Sequence, residues 1–474
     1  MWTAYWFCLR RNEYRAGGAN IVITGITKRT RMFGKVKDMP DGMTGVYQLG
    51  NTFQLSSTTI GVSLNIRCSG VKAIDLEVGS DVAVLEDAAH PEQAVIVPFG
   101  RAEYTTNPID GSEILLARYP KTVAFVPIGA LLPDGTPHPA AGTGFAKGTV
   151  MGFPAHRFRE SSNPFEGLRD EEIFYGQEVV QCTYDGKEFK VTSSRLYSVT
   201  EALSGSLITG GGMGCAIPDG ADGFFSPACG ENNYTNPVQA HGSGMAHWRY
   251  IDGQWRIIAY YPVLEDRSCF NTISGFSGNF IESSITRLKD ESILFTAREV
   301  GEHPFAPGPQ EAERLQVFRS TDNGKTWKKC FEVPHFHTLS PLNLGRTADG
   351  TAFVIANPAC IENSLGERPG SIVLREKMML WPIRDDFSGL EEPWMVRDCP
   401  AEFGKAPFGS YWRIDHPFSN VVRLKDGKWH TMLSFRLLEH NECDSNAPMT
   451  PVTGSYLEEI LTNGPELPVW RFGK

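Results

Sequence analysis

Arg319-Ser-Thr-Asp-Asn-Gly-Lys-Thr-Trp327 is the stretch on which the reading of this chain turns. Asp322 can accept backbone N–H bonds across a tight turn, as short acidic side chains do. Gly324 can take positive φ without the clash a Cβ would bring. Trp327 is large enough to pin the hairpin to an apolar core while its indole N–H finds a polar partner. Ser320 and Thr326 add hydroxyls on either side. Nine residues thus specify a β-hairpin with an aromatic anchor.

The surrounding chain reads the same way. Ala94-Val-Ile-Val-Pro-Phe99, Thr122-Val-Ala-Phe-Val126, Arg256-Ile-Ile-Ala-Tyr-Tyr261 and Thr351-Ala-Phe-Val-Ile-Ala356 are short β-branched or aromatic runs bounded by turn residues. Helical periodicity is scarce, and Pro309–Arg314 and Ser455–Leu461 are its best candidates. Asp-Gly or a near equivalent separates apolar runs at Asp134-Gly135, Asp185-Gly186, Asp252-Gly253, Asp290-Glu291, Asp349-Gly350 and Asp426-Gly427, a strong hairpin signal. These turns recur roughly every 40 to 80 residues, which suits one hairpin-bearing unit per propeller blade with variable loops. The competing architecture is an irregular pair of β-sandwiches. Residues 207–245 read as long loops, and Gly210-Gly-Gly-Met-Gly214 lacks the Lys-Ser/Thr and helix of a phosphate loop.

Bulk properties narrow the functional classes. A formal net charge of −10 argues against a nucleic-acid partner, which calls for a basic footprint. It leaves room for an anionic small molecule in a locally positive pocket. The ten cysteines include no CxxC and no zinc-ligand spacing with histidine, so reduced, mostly buried thiols are expected. No run approaches the length of a membrane span, and the Met1–Arg11 segment has the reverse order of a secretory signal. The expectation is a soluble protein, cytoplasmic by default, or secreted or periplasmic where a signal was removed.

The Ser320-x-Asp322-x-Gly324-x-Thr326-Trp327 pattern resembles the Asp-box of the sialidase superfamily, and the likeness extends over residues 275–440. It implies an all-β, six-bladed propeller, with room for a seventh blade. The propeller would occupy residues 81–474, and residues 1–80 would be an N-terminal segment, either part of it or a small extension. Bacterial sialidases carry a blade with a glutamate and an arginine 16 residues apart ahead of an Asp-box, and Glu282 and Arg298 match that spacing. The resemblance implies that Glu282 activates a nucleophile and that Arg298 belongs to a carboxylate clamp. Arg375, leading Arg375-Glu-Lys-Met-Met-Leu-Trp381, resembles another clamp member. A planar guanidinium suits a sugar carboxylate because it binds through two parallel charge-assisted hydrogen bonds.

The likeness breaks at the expected tyrosine nucleophile. Phe418-Ser-Asn-Val-Val-Arg-Leu-Lys-Asp-Gly427 places Phe418 there, and phenylalanine has no nucleophilic atom. Tyr411 and His416 are the nearby candidates to replace it. The chain also lacks a Phe-Arg-Ile-Pro segment for the first clamp arginine, and no loop aspartate can be assigned as the acid.

A second constellation, Gln239-Ala-His241-Gly-Ser-Gly-Met-Ala-His247-Trp248, supplies histidines of the kind that propeller-based polysaccharide lyases use to remove a proton α to a uronate carboxylate. His335 and His337 form a possible metal pair, but no third ligand accompanies them, so no metal and no cofactor is assigned. Three functions follow. The first is a glycoside hydrolase related to exo-sialidases, acting on an oligosaccharide or glycoconjugate that bears a carboxylate. The second is a uronate lyase on the same scaffold. The third is a non-catalytic glycan-binding propeller. Oligomeric state is not legible.

Overall fold

The structure is a computed structural model and describes residues 23–28, 33, 36, 44–69, 77–118, 122–160, 167–198, 214–230, 241–266, 279–300, 313–337, 340–358, 375–406, 411–440 and 452–473. These residues form six antiparallel β-sheets arranged as the blades of a propeller. The first blade is Thr44–Gln54, Ile60–Ser69, Glu77–Leu85 and Val95–Arg101. The second is larger: Thr143–Pro154 pairs with Phe174–Tyr184 on one side and with both Thr122–Val126 and Glu113–Arg118 on the other. The third runs from Ile217–Pro218 through Gly223–Gly230 and His241–Ile251 to Gln254–Asp266. The fourth is Asn279–Arg287, Ile293–Val300, Glu313–Ser320 and Lys328–His337. The fifth is Asn343–Arg346, Ala352–Ala356, Lys377–Pro382 and Trp394–Asp398.

The sixth blade closes the ring. Tyr411–Arg423, Trp429–His440 and Gly454–Thr462 are joined at the outer edge by Ile23–Ile26, so an early and a late segment of the chain share one sheet. Strands drawn from residues 1–80 therefore lie within the propeller, in the first and sixth blades. The helices among the described residues are short, and none is long and apolar enough to cross a membrane.

Blades pack face against face, so a strand in the middle of a blade is buried on both sides. Ala352–Ala356 is buried at every position. The same packing corrects one expectation. Ser455–Leu461 is a strand, not a helix, and five of its seven residues are buried. Two-sided burial erases the alternation that marks an ordinary strand, and Leu457 and Ile460 then imitate a helical repeat. Glu313 and Arg314 of the other helix candidate lie in a strand, while 309–312 fall outside the described residues. The expected loop at 207–245 contains the strand Gly223–Gly230 and the start of His241–Ile251.

Side chains stitch neighbouring blades together near the axis. Asn51 of the first blade donates to Val123 O of the second at 2.7 Å and accepts from Val123 N at 2.9 Å. Asn343 of the fifth blade accepts from Ser419 of the sixth at 2.5 Å and donates to Ser284 of the fourth at 3.3 Å. Ser283 of the fourth donates to Ala228 O of the third at 3.0 Å. At the far ends of the blades, Leu467 N donates to Ala348 O at 2.7 Å and Arg471–Phe472 pairs with Ala130–Leu131. The last described segment thereby links the fifth blade to the second.

The hairpin quoted at the outset joins the two outer strands of the fourth blade. Asp322 accepts from Thr326 N at 2.9 Å and from Thr326 Oγ1 at 2.6 Å, and these bonds hold its carboxyl down to about 2. Gly324 has φ +83°, and a Cβ there would come within 2.1 Å of Met245 Cε in the third blade. Trp327 packs edge-on to Phe295, with its indole N–H on Gly324 O. We expect Asp322→Ala to lower the thermal midpoint by a few degrees and to leave the fold intact, because the turn lies at a blade's outer edge. Circular-dichroism spectra and melts check this.

Cys182, Cys215 and Cys399 are buried free thiols, and Cys330 is half-buried. Burial pushes the Cys215 thiol up to about 12, which makes it inert.

Candidate active site

Three first strands share one irregularity. In the first blade Gly50 and Asn51 together face a single partner residue, in the fourth Glu282 and Ser283 do, and in the sixth His416 and Pro417 do. Each is a two-against-one β-bulge, a device that re-aims a side chain. Glu282 has φ +53° and His416 has φ +52°. Among the described residues, the other non-glycine residues with positive φ (Asp252, Glu291, Asn323 and Phe387) lie in turns between strands. Left-handed backbone at a residue with a Cβ costs about 1–3 kcal/mol and persists where the surroundings impose it. The fold thus holds a carboxylate and an imidazole in strained, matching positions on two blades.

The residue after the one opposite each of these two bulges is an arginine. Arg298 donates to Glu282 Oε2 at 2.8 Å. Arg436 donates to Asp415, the neighbour of His416, through both Nε and Nη2, the latter at 3.2 Å. Arg375, just before the strand Lys377–Pro382, reaches the same carboxylate at 2.5 Å, and Arg413 reaches it at 2.7 Å. His416 Nδ1 lies 3.0 Å from Asp415 Oδ1. Exposure is graded across this cluster. Asp415 and Arg436 side chains are 0% and 2% exposed, whereas Arg298, His416 and Glu282 are 12%, 17% and 21% exposed. The last three therefore form the more exposed face of the cluster.

Charges in the cluster are strongly coupled. Burial pushes the Glu282 carboxyl up, but Arg298, His416 and Arg375 outweigh it and hold the group below its usual value. Burial likewise opposes ionisation of Asp415, and Arg436 and Arg413 overcome it, so its carboxyl stays well below the ordinary range. Burial and then Arg436 push the His416 imidazole down to about 4, against the pull of Asp415 and Glu282. Burial and the neighbouring Arg413 and Arg298 bring Arg375 down to about 9, which leaves a guanidinium at neutral pH. At pH 7 the cluster thus holds two carboxylates, four guanidiniums and a neutral imidazole.

The structure brings together Glu282, Arg298, Arg375 and His416 from the sequence candidates. Phe418, at the expected nucleophile position, is a core residue 3% exposed, just past the bulge. His416 stands two residues farther from its Leu-Lys-Asp turn than Glu282 does from its own, so linear matching puts Phe418 at the nucleophile position and offers His416 only as a nearby alternative. His247 lies elsewhere, 2.8 Å from Asp219 and against the Phe225 ring. Arg287 packs on the same ring, roughly 16 Å along the strand from Glu282. The side chains of His241, Tyr411 and His335 lie outside the described residues, and His337 is fully buried. Among the described residues no group of three His, Cys, Asp or Glu can hold a metal ion.

Sequence reasoning missed Arg413, Asp415 and Arg436. The available signal was charge inside apolar strand text, Trp412-Arg413-Ile414-Asp415 and Phe435-Arg436-Leu437, since buried charges require partners.

Comparison with solved structures gives a consistent architecture. A crystal structure of a protein of unknown function from Dyadobacter fermentans matches with a TM-score of 0.50 at 13% identity, over 92% of this chain and 98% of that one. Trypanosoma rangeli sialidase matches with a TM-score of 0.47 at 12% identity, over 92% of this chain and 58% of that chain. The leech intramolecular trans-sialidase matches with a TM-score of 0.48 at 10% identity, over 87% of this chain and 68% of that chain. The fold is a six-bladed β-propeller. At these identities the likeness concerns fold alone. No family model matches the chain, and no curated protein matches it in sequence.

Proposed function

We propose that this sialidase-type propeller is a glycoside hydrolase acting on a carboxylate-bearing sugar, with His416 and Glu282 as its reacting groups. The observation that carries the reading is the pair of matched bulges, which hold an imidazole and a carboxylate in strained backbone within each other's field, beside Arg298 and Arg375. The arginines would receive the substrate carboxylate. A neutral imidazole can approach such a substrate without the repulsion a further carboxylate would meet. In an inverting route, a water proton passes to His416 Nε2 and the water oxygen bonds the anomeric carbon. The leaving oxygen takes the glycosidic electron pair and a proton from solvent. Glu282, ionised and paired with Arg298, stabilises the positive charge that develops on the sugar.

The test is incubation with a panel of sialosides and uronate-containing oligosaccharides, read by product mass. Products with water added support the hydrolase. A product with a new double bond, absorbing in the near ultraviolet, replaces it with the lyase. That second reading draws on the same neutral imidazole beside guanidiniums, here taking a proton α to the carboxylate, and it moves the base from His241 or His247 to His416. Saturable sugar binding with no product favours the glycan-binding module.

A substitution tests the anchor. Arg298→Lys keeps the charge and loses the planar fork, so KM should rise about 10- to 100-fold, with a smaller change in kcat. An unchanged KM removes Arg298 from the binding role.

A further inference from the structure

The two groups assigned to substrate anchoring and proton transfer come from different blades. Arg375 leads into Lys377–Pro382 of the fifth, and His416 lies in Tyr411–Arg423 of the sixth. Charge alone does not set their spacing, because the long arginine side chain that meets Asp415 can adjust its torsions as the backbone shifts. A neutral amide sits at the backbone junction. Asn357, one residue past Ala352–Ala356 of the fifth blade, is fully buried. Its Nδ2 donates to Lys377 O at 2.7 Å and to Ile414 O at 2.7 Å. Ile414 N in turn donates to Arg375 O at 2.8 Å. We propose that Asn357 is a positioning residue that fixes the spacing between the anchor Arg375 and the base His416 by tying their two backbone segments together.

The side chain acts here through its donors. An amide carries two N–H donors and one carbonyl acceptor. Both of its contacts are backbone carbonyls, which only accept, so the nitrogen must face them and the orientation of the amide is settled. Among the described residues no donor meets Oδ1. A leucine of similar volume has no donor, so it would withdraw both bonds at once and leave the packing filled. Ile414 stands directly before Asp415 and two residues before His416, whose φ of +52° persists only while the surroundings impose it. Loosening Ile414 therefore moves the imidazole relative to Arg375. A misplacement of about 1 Å between reacting groups can cost about 10²-fold in rate.

The inference rests on the roles given above to Arg375 and His416, and the experiment separates the two. Hydrogen exchange of the full chain, read by mass spectrometry with no substrate present, compares the peptide over residues 412–416 with that over 429–437 in the same blade. In Asn357→Leu the first should exchange about 10- to 100-fold faster and the second at the wild-type rate. Unchanged exchange over 412–416 overturns the proposal, and so does equal acceleration in both peptides, which marks a general loss of stability. With a substrate from the panel, assayed well below the melting midpoint, the same variant should lose about 10²-fold in kcat/KM, with kcat lowered and KM raised. Wild-type kcat and KM in the folded variant also overturn it, since a purely structural role would move the melting midpoint alone. Asn357→Ser, which leaves room for a water to reach one carbonyl, replaces the leucine variant where that does not fold, and its effects should run in the same direction. A wild type that turns over no panel sugar counts against the hydrolase reading, and the exchange result still decides whether Asn357 holds the junction.

Discussion

His416→Asn lowers kcat by about 10²- to 10⁴-fold while the protein stays folded, the range that a positioned general base contributes. Asparagine is chosen because it tolerates left-handed backbone, so the bulge at φ +52° keeps its geometry. It also fills part of the imidazole's volume, and it cannot take a proton near neutral pH. Steady-state kinetics on the sugar that the panel selects, beside a thermal melt, supply the measurement. A kcat within threefold of wild type sinks the assignment of His416 as base.

The same variant carries a pH signature. The folded ring titrates at about 4 instead of 6.5, so between those values the unfolded chain takes up a proton that the native protein refuses. Stability from this source is complete above pH 6.5 and is lost as the pH falls towards 4. His416→Asn should therefore show a shallower decline across that window, measured by urea unfolding at successive pH values. Parallel curves would remove the buried neutral histidine from the account.

Arg436→Met costs about 3–5 kcal/mol of stability, the penalty for removing one partner from a buried ion pair. Asp415 is 0% exposed and Arg436 2%, so water cannot replace the lost guanidinium. Methionine supplies similar bulk and no charge, which isolates the electrostatic loss from a cavity. The native Asp415 carboxyl sits well below its ordinary value of 3.8. Its stabilisation is therefore present above about pH 4 and disappears as the pH falls through the native value. The variant, with that carboxyl less strongly held, should lose its stability at a higher pH than wild type during acid unfolding. A loss below about 1 kcal/mol would show that Arg375 and Arg413 alone suffice for Asp415.

Much of the architecture was legible in the linear text because it depends on local chemistry. The turn residues at Asp185-Gly186, Asp252-Gly253, Asp349-Gly350 and Asp426-Gly427 each lie between paired strands, with positive φ at the glycine. The Asp322 turn makes the bonds its residue types permit. The strand at Ser455–Leu461 was lost for the opposite reason, because its burial comes from neighbouring blades and leaves no period in the sequence.

The candidate site divides along the same line. Glu282 and Arg298 were within reach because they belong to one hairpin, where spacing along the chain fixes spacing in space. His416 was placed beside its alternatives but could not be preferred, since a bulge two residues from Phe418 has no signature in the text. Arg375 meets Asp415 only when the fifth blade docks on the sixth, and Glu282 feels His416 only when the ring has closed. The sequence by itself determined the strands, the turns and the chemical inventory, because short-range sterics and hydrogen bonding act between near neighbours. Closure of six blades decided which of those groups share one buried volume, and burial in turn decided their charges.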